Sequence, residues 1–360
     1  MRNHNLDVIR GIAVMGLMFM NSYYFGVFEY GYLPLTDKPL SDSVIQTVNL
    51  IFIDGRFRSL FCLLFGASLA IQWQYWQKQV KIVKRLQVLA LFGLVHGFLI
   101  WAGDILFIYA CAGWLVVRFL NTSDDILLKR SWQCLLLGGS ITFILAMFEP
   151  SISITRDSEQ FARAYDAWYE SLLSMIVNNA RMFLIMLLAL PLVTVWMAAG
   201  LMLLGVYCYR RGVFVNGLTP NTLLVVVFLA LIFSALRLVL ELHASHVNDA
   251  LQEPVNWLAA LFTALVYVHI LVKLVDNQPA VLQLLQTAGR TALTLYVSQS
   301  VLLVIIFKLL FPHWIIDFDR LDYWLLVSFL VCLLLVFCHF YKQHFKQGPL
   351  EWAWRMLCKR

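Results

Sequence analysis

Long apolar runs separated by short polar breaks dominate the chain. Several runs approach or exceed the ~20 residues that a helix needs to cross a bilayer core, among them 86–101, 183–209, 221–240 and 291–312. Repeated apolar runs of this length are typical of transmembrane helices and exclude a water-soluble domain. The pattern therefore predicts an all-α, polytopic transmembrane helix bundle with about ten spans.

The predicted spans follow the apolar runs in chain order. They lie at about 8–28, 57–76, 86–103, 105–120, 132–149, 183–209, 221–241, 255–273, 290–311 and 323–341. Basic residues fall at every second break, and such segments stay in the cytoplasm. With the N-terminus inside, 18 of the 27 lysines and arginines lie on the inner side. An even number of spans, with both termini cytoplasmic, fits this distribution best.

The organisation of the chain predicts one integral-membrane domain over residues 1–360, because no repeat or low-complexity linker divides it. The outer loop at about 150–180 has apolar residues at helical spacing, which indicates a surface helix. Residues 342–360 form a predicted cytoplasmic amphipathic tail, in which we expect Glu351 to meet an inner arginine such as Arg10 or Arg290.

Composition narrows the partners of the protein. The chain is 61% apolar and 13% charged, and its net charge of +6 is explained by cytoplasmic flanks that face anionic lipid headgroups. Membrane lipids are therefore expected partners, and nucleic acid is not. The seven scattered cysteines indicate apolar packing residues rather than a disulfide framework or a metal site. A homo-oligomer stays an open alternative.

Polar residues at membrane depth are costly unless they are paired or hydrated, so they are the candidates for function. Asp7 and Arg10 are three residues apart, which places them on one helix face as an ion pair or as part of a site. Arg56 and Arg58 stand at the outer entry of the second span and need an anionic partner. That partner is Asp54, another outer acid, a lipid or a substrate.

A histidine in the third predicted span is the strongest catalytic candidate. His96 lies between Gly93 and Gly97, whose small side chains let a second helix approach closely. Asp104 follows on a short turn. A carboxylate can hold a histidine in one tautomer as a general base. The alternative is that His96 only forms a hydrogen bond between helices.

The segment GRTALTLYVSQS, residues 289–300, carries a second polar pattern. Arg290 lies at the inner end of the ninth span. Thr291, Thr294 and Ser298 share one helix stripe, and Gln299 follows. This stripe suits a polar cavity, and it suits hydrogen bonding between helices equally well.

Five segments resemble the YeiB-like family of bacterial inner-membrane proteins, which is defined by a domain of unknown function. They are NLDVIRGIAVMGLMFMN (5–21), RFRSLFCLLFGASLA (56–70), GLVHGFLIWAGDIL (93–106), GRTALTLYVSQS (289–300) and HFKQGPLEWAWR (344–355). They span nearly the whole chain in the same order. The resemblance implies a multi-pass location in the bacterial inner membrane and supplies no established reaction.

A more distant resemblance bears on the chemistry. Residues 6–21, followed by FGAS at 65–68, look like heparan-α-glucosaminide N-acetyltransferase and the membrane acyltransferase superfamily. Members of that superfamily carry an arginine and a catalytic histidine in the first span, with ten residues between them. Here the arginine is Arg10, and the same spacing leads to Asn21.

Two functional classes follow. The first is a membrane acyltransferase that moves an acyl group from cytoplasmic acyl-coenzyme A to a small-molecule, glycan or lipid acceptor at the outer face, with no permanently bound cofactor. The second is a transporter or a lipid- or small-molecule-binding protein without catalysis. For the enzyme, the site residues are assigned by role: His96 and Asp104 for catalysis, Asn21, Arg56, Arg58 and Gln299 for the substrate, and Arg10 and Arg290 for the phosphates of the donor.

Overall fold

The computed structural model describes residues 4–149, 154–189, 192–243, 245–275, 280–345 and 347–359. Within these ranges all regular elements are helical and none is a strand, which confirms the all-α bundle. In chain order the helices are α1 (His4–Asn21), α2 (Leu40–Val48), α3 (Arg56–Trp76), α4 (Gln79–Leu99), α5 (Leu106–Val117), α6 (Asp124–Ala146), α7 (Glu159–Tyr169), α8 (Leu172–Ala189), α9 (Thr194–Arg210), α10 (Val213–Asn216), α11 (Pro220–Leu242), α12 (His246–Val275), α13 (Ala280–Arg290), α14 (Ala292–Val304), α15 (Trp314–Asp317), α16 (Arg320–His344) and α17 (Pro349–Lys359).

Six of the described helices are long and apolar enough to cross a membrane. They are α4, α8, α11, α12, the continuous segment from α14 to Leu310, and α16. Because six is fewer than ten, the ten-span arrangement stays a prediction. One boundary is wrong: the expected single span at 183–209 is two helices, because α8 ends at Ala189 and α9 begins only at Thr194.

The apolar side chains that remain exposed indicate which helix faces meet lipid. On α11, Leu224, Phe228 and Leu231 are each more than half exposed, and on α16 so are Leu325 and Phe329. Exposed large apolar side chains in this density would be unfavourable in water. These two helices therefore lie at the lipid-facing perimeter, while α1, α3, α9 and the middle of α12 form the buried interior.

The bundle has two distinct ends. Arg10 near the start of α1 and Trp354 of α17 line one cavity, so the first and last described helices meet at the same end. We call it the terminal end. The opposite end, which we call the loop end, holds Asn21 and the turn at Asp54.

The expected surface helix of the 150–180 loop is present as α7, which lies at the loop end. It buries Phe161 and Trp168 and presents its charged residues outward. The Trp168 indole N–H donates to Glu29 at 2.8 Å, so α7 is fixed to the segment that follows α1. Of the predicted tail, residues 342–344 belong to α16, and α17 forms the amphipathic part.

Candidate active site

His96 and Asp104 form a buried pair at the turn between α4 and α5. The His96 Nδ1 atom lies 2.9 Å from Oδ1 of Asp104, and the two residues are 2% and 3% exposed. The other carboxylate oxygen accepts a hydrogen bond from the backbone N–H of Phe107 at 2.8 Å, in the first turn of α5. The carboxylate is therefore held on one side by a helix start and on the other by the imidazole.

The geometry of this pair sets the tautomer of the histidine. An ionised carboxylate accepts a hydrogen bond from Nδ1–H, so the neutral ring carries its lone pair on Nε2. The Nε2 atom of His96 is buried and has no hydrogen-bond partner among the described residues. Unpaired buried polar atoms are rare in folded proteins, and a catalytic role is one of the explanations for them. The pair thus leaves Nε2 of His96 as an unused acceptor atom.

Small residues let the surrounding helices approach this pair. A side chain at Gly93 would overlap the backbone of Phe107, and one at Gly97 would overlap the ring of Phe183 in α8. The expectation that these glycines admit neighbouring helices is therefore confirmed. The close approach of α5 brings Asp104 within reach of His96.

Two further side chains hold the turn, and the sequence reasoning did not single them out. Asn179 of α8 donates to the carbonyls of Gly97 and Phe98 and accepts from the N–H of Ala102. The only signal in the sequence was an asparagine within an apolar run. Tyr296 of α14 has its ring centre 5.1 Å from that of His96.

The loop-end cavity opens on one side of the pair. It has a volume of about 380 Å³, and Asn21, Arg58 and Asp104 all line it. Glu253 also lines this cavity and forms an ion pair with Arg58 at 3.1 Å. For Arg58, the expected anionic partner is thus another acid of the chain, Glu253.

Acidic and aromatic groups characterise the loop-end cavity. Desolvation and the neighbouring Glu253 carboxylate raise the pKa of Asp54, which lines the cavity in the turn before α3. Tyr24 and Trp101 line the wall, and Trp101 stacks on Phe25 with ring centres 4.4 Å apart. Carboxylates outnumber guanidinium groups here, so the cavity suits a neutral or cationic molecule better than an anion.

The terminal-end cavity opens on the other side. It has a volume of about 290 Å³ and is lined by Arg10, Arg290 and Tyr296. Ile105 lines both cavities, and its N–H donates to the Tyr296 hydroxyl at 3.2 Å. Asp104 lines the loop-end cavity and Tyr296 lines the terminal-end cavity, whereas His96, buried between them, lines neither.

A buried carboxylate organises the arginines of the terminal-end cavity. Asp7 accepts from Arg10 at 3.2 Å and from Arg290 at 3.4 Å, which confirms the expected Asp7–Arg10 pair. Arg10 also donates to the Ser68 hydroxyl at 3.0 Å. Both guanidinium groups are only partly exposed, so the shared carboxylate offsets part of their desolvation cost.

The ion-pair cluster depends on a close crossing of α1 and α13. A side chain at Gly289 would overlap the carbonyl of Asp7, and one at Gly11 would overlap the carbonyl of Leu285. With a larger residue at either position, the two helices would separate. Arg290 would then move away from the Asp7 carboxylate.

Two predicted substrate-binding residues lie outside both cavities. Arg56 is fully buried and donates to the carbonyls of Ile51 and Asp54, and to Asn256. Gln299 is buried and donates to the carbonyl of Val14. Their donors are occupied by bonds within the bundle, which gives these two residues internal roles.

The expected contact of Glu351 with Arg10 or Arg290 is wrong. The carboxylate of Glu351 instead accepts from the N–H groups of Leu293 and Thr294 and from the Thr294 hydroxyl. These donors belong to the first turn of α14, where unpaired N–H groups and the helix dipole favour an anion. The C-terminal helix is therefore attached to the start of α14.

Comparisons with known proteins show which proteins the chain resembles. Residues 208–360 match the family described as "Protein of unknown function (DUF418)". The chain is 28% identical to "Uncharacterized protein YeiB" of Escherichia coli (strain K12), over 100% of this chain and 97% of that protein. The chain is thus similar over its whole length to a YeiB protein, and its C-terminal part matches the DUF418 family.

A second relative of this chain comes from Bacillus subtilis (strain 168). It is "Uncharacterized protein YxaH", 26% identical over 97% of this chain and 92% of the relative. Both alignments cover α4, α5 and the two cavities as well as the DUF418 region. The match thus extends over the whole bundle described above.

Proposed function

We propose that the protein is a membrane acyltransferase that uses an acyl-coenzyme A thioester as its donor. One observation carries the proposal: His96 and Asp104 form a buried pair between two cavities, since Asp104 lines the loop-end cavity and Tyr296, whose ring packs beside His96, lines the terminal-end cavity. An enzyme that joins a donor from one side to an acceptor from the other needs a base between the two.

The terminal-end cavity fits the thioester arm of the donor. Its walls are mainly apolar, with Phe61, Phe65 and Leu89 beside Arg10 and Arg290. An uncharged pantetheine arm can occupy such a channel while the arginines lie near its polar end. The basic residues at this end support a cytoplasmic orientation, and the bacterial relatives support an inner-membrane location.

The reaction requires one proton to move twice. His96 Nε2 takes the proton from a hydroxyl or amine of the acceptor as that oxygen or nitrogen attacks the thioester carbonyl carbon. The carbon–sulfur bond then breaks, and the departing thiolate takes the proton back from Nε2. Asp104 acts as a positioning residue that stabilises the transient imidazolium through Nδ1.

The loop-end cavity would hold the acceptor. Asn21, which occupies the position of the superfamily histidine, lines it together with Arg58 and Glu253. An asparagine cannot serve as a base, but its amide N–H can polarise a carbonyl oxygen. In this proposal the base is supplied by α4 rather than by α1.

The alternative is a transporter or a binding protein without catalysis. It is favoured by the same geometry, because two cavities that share Ile105 would also suit passage of an intact small molecule. The two functions differ in whether a thioester bond is broken. A transporter would leave acyl-coenzyme A unchanged.

The test is acyl transfer by the purified protein in liposomes of bacterial lipid. The donor is acetyl-coenzyme A with a labelled acetyl group, and the rate at which free coenzyme A thiol is released is measured. We expect His96→Ala to lower the rate at least about 100-fold, the usual contribution of a general base, with unchanged folding. The matched control is His339→Ala, since His339 is an exposed histidine on α16.

Equal thiol release by His96→Ala and the unaltered protein would contradict the proposal. Passage of labelled acetyl-coenzyme A through the membrane without thiol release would favour the transporter. Label that appears on a lipid or sugar in the liposomes would identify the acceptor class.

A further inference from the structure

A second, larger cavity lies at the terminal end between α3, α4 and α17. Its volume is about 820 Å³, and we call it the basic vestibule. Five cationic side chains line it, namely Lys81, Lys84, Arg85, Arg355 and Lys359. No acidic residue lines it among the described part of the chain.

Among the described residues, no carboxylate compensates the charge of the vestibule. None of its five cations forms an ion pair with a carboxylate of the described residues. Arg355 donates to the neutral amide of Gln347. Cations that share one cavity repel each other, and only a bound anion or screening ions relieve this. The arrangement therefore favours a ligand with several negative charges.

Aromatic rings stand beside these cations. The guanidinium of Arg85 lies 5.2 Å from the ring centre of Trp76 and 3.8 Å from that of Trp354. Trp354 also donates its indole N–H to the Arg85 carbonyl at 3.2 Å. Tyr75 is 82% exposed at the edge of the vestibule. Phosphate-binding cations next to exposed ring faces are the combination that holds a nucleotide, because a base can stack there.

The vestibule continues into the terminal-end cavity. Gln72, Arg85 and Arg355 line both spaces. A ligand with a polyanionic head and an uncharged arm can therefore lie with its head in the vestibule and its arm in the cavity lined by Tyr296. Coenzyme A has this shape and charge distribution.

We propose that the basic vestibule binds the nucleotide phosphates of the acyl-coenzyme A donor, and that α17 forms one of its walls. This inference rests on the proposed function. The phosphates are then held by the vestibule and not by Arg10 and Arg290, because those two arginines share the carboxylate of Asp7. An anionic lipid headgroup offers the same phosphate chemistry, so the experiment must separate the two sources.

The experiment measures binding of coenzyme A to the full-length protein in nanodiscs of neutral lipid. The variant is Lys81→Ala/Lys84→Ala, which removes two vestibule charges. Loss of a charge-assisted hydrogen bond weakens binding about tenfold, so we expect at least about a tenfold higher Kd. Binding of pantetheine, which lacks the nucleotide, should not change.

The matched control is Lys129→Ala/Arg130→Ala, two exposed cations of α6 that do not line the vestibule. It should leave the Kd for coenzyme A unchanged. An unchanged Kd in the Lys81→Ala/Lys84→Ala variant would overturn the inference. A second measurement uses nanodiscs that contain anionic lipid. Loss of anionic-lipid enrichment around the variant there, with full retention of coenzyme A binding, would also overturn the inference, because the vestibule would then be a lipid site.

Turnover separates this inference from the proposed function. If acetyl-pantetheine and acetyl-coenzyme A have equal kcat/KM values, the vestibule proposal is overturned and the proposed acyltransferase function is not affected. Vestibule-dependent coenzyme A binding without any thiol release would support the vestibule and contradict the acyltransferase.

Discussion

The cavities at the two ends of the bundle are lined by residues of opposite charge. At the terminal end, arginines and lysines outnumber acids, and one buried carboxylate, Asp7, serves both Arg10 and Arg290. At the loop end, Asp54, Asp104 and Glu253 line a cavity with a single guanidinium, that of Arg58. The same chain thus presents a cationic cavity at one end and an acidic, aromatic one at the other.

This difference indicates what each end can bind. A polyanion is attracted to the terminal end and repelled from the loop end. The loop end attracts a cationic acceptor and does not repel a neutral one. A symmetric transport path for one solute would not need opposite charge at its two ends. The asymmetry therefore favours two different ligands, one for each cavity.

We expect the largest loss of stability from a variant that disturbs the close crossing of α1 and α13 at the terminal end. Gly289→Ala places a methyl group against the carbonyl of Asp7, which forces the helices apart and separates Arg290 from its partner. Overpacking of this kind costs about 1–3 kcal/mol. We expect a lower thermal midpoint in detergent, measured by intrinsic fluorescence.

The control for this variant is Gly139→Ala on α6. A methyl group there meets no atom within 4 Å, and alanine favours the helix by roughly 0.5–1 kcal/mol over glycine. The two alanine variants should therefore move the midpoint in opposite directions. A Gly289→Ala protein as stable as Gly139→Ala would contradict the close crossing.

A smaller effect is expected from Glu351, which attaches α17 to α14. Glu351→Ala leaves the N–H groups of Leu293 and Thr294 without their acceptor, at a cost of about 1 kcal/mol for a lost helix cap. The midpoint should fall modestly. Because α17 forms one wall of the basic vestibule, coenzyme A binding should weaken as well.

Glu149→Ala serves as the comparison, since Glu149 is an exposed glutamate just beyond the C-terminal end of α6. It should change neither the midpoint nor the affinity for coenzyme A. If Glu351→Ala lowered the midpoint and left coenzyme A binding intact, the role of α17 in the vestibule would be refuted.

The sequence predicted the helical class and the central pair of the site. His96 and Asp104 are eight residues apart across a short turn, so local chain geometry alone brings them together. Arg10 and Asp7 were predictable for the same reason, because three residues separate them on one helix. Contacts of short sequence separation can be read from the order of residues.

Contacts of long sequence separation could not be predicted in this way. Glu351 reaches Leu293 and Thr294, and Asn179 reaches Gly97, only because of how distant helices pack. The division of the 183–209 run into α8 and α9 was also missed, since hydropathy is continuous enough there to suggest one span. The basic vestibule exists only because α17 folds back onto α3 and α4.

The central claim is that donor and acceptor sites of opposite charge meet at His96. The most direct test is a cryo-electron microscopy structure of the protein with a non-hydrolysable acyl-coenzyme A analogue. The account predicts the nucleotide in the basic vestibule, the pantetheine arm in the terminal-end cavity, and the acyl carbonyl next to the His96 Nε2 atom. Density for the analogue in the loop-end cavity, or an acyl group remote from His96, would contradict it.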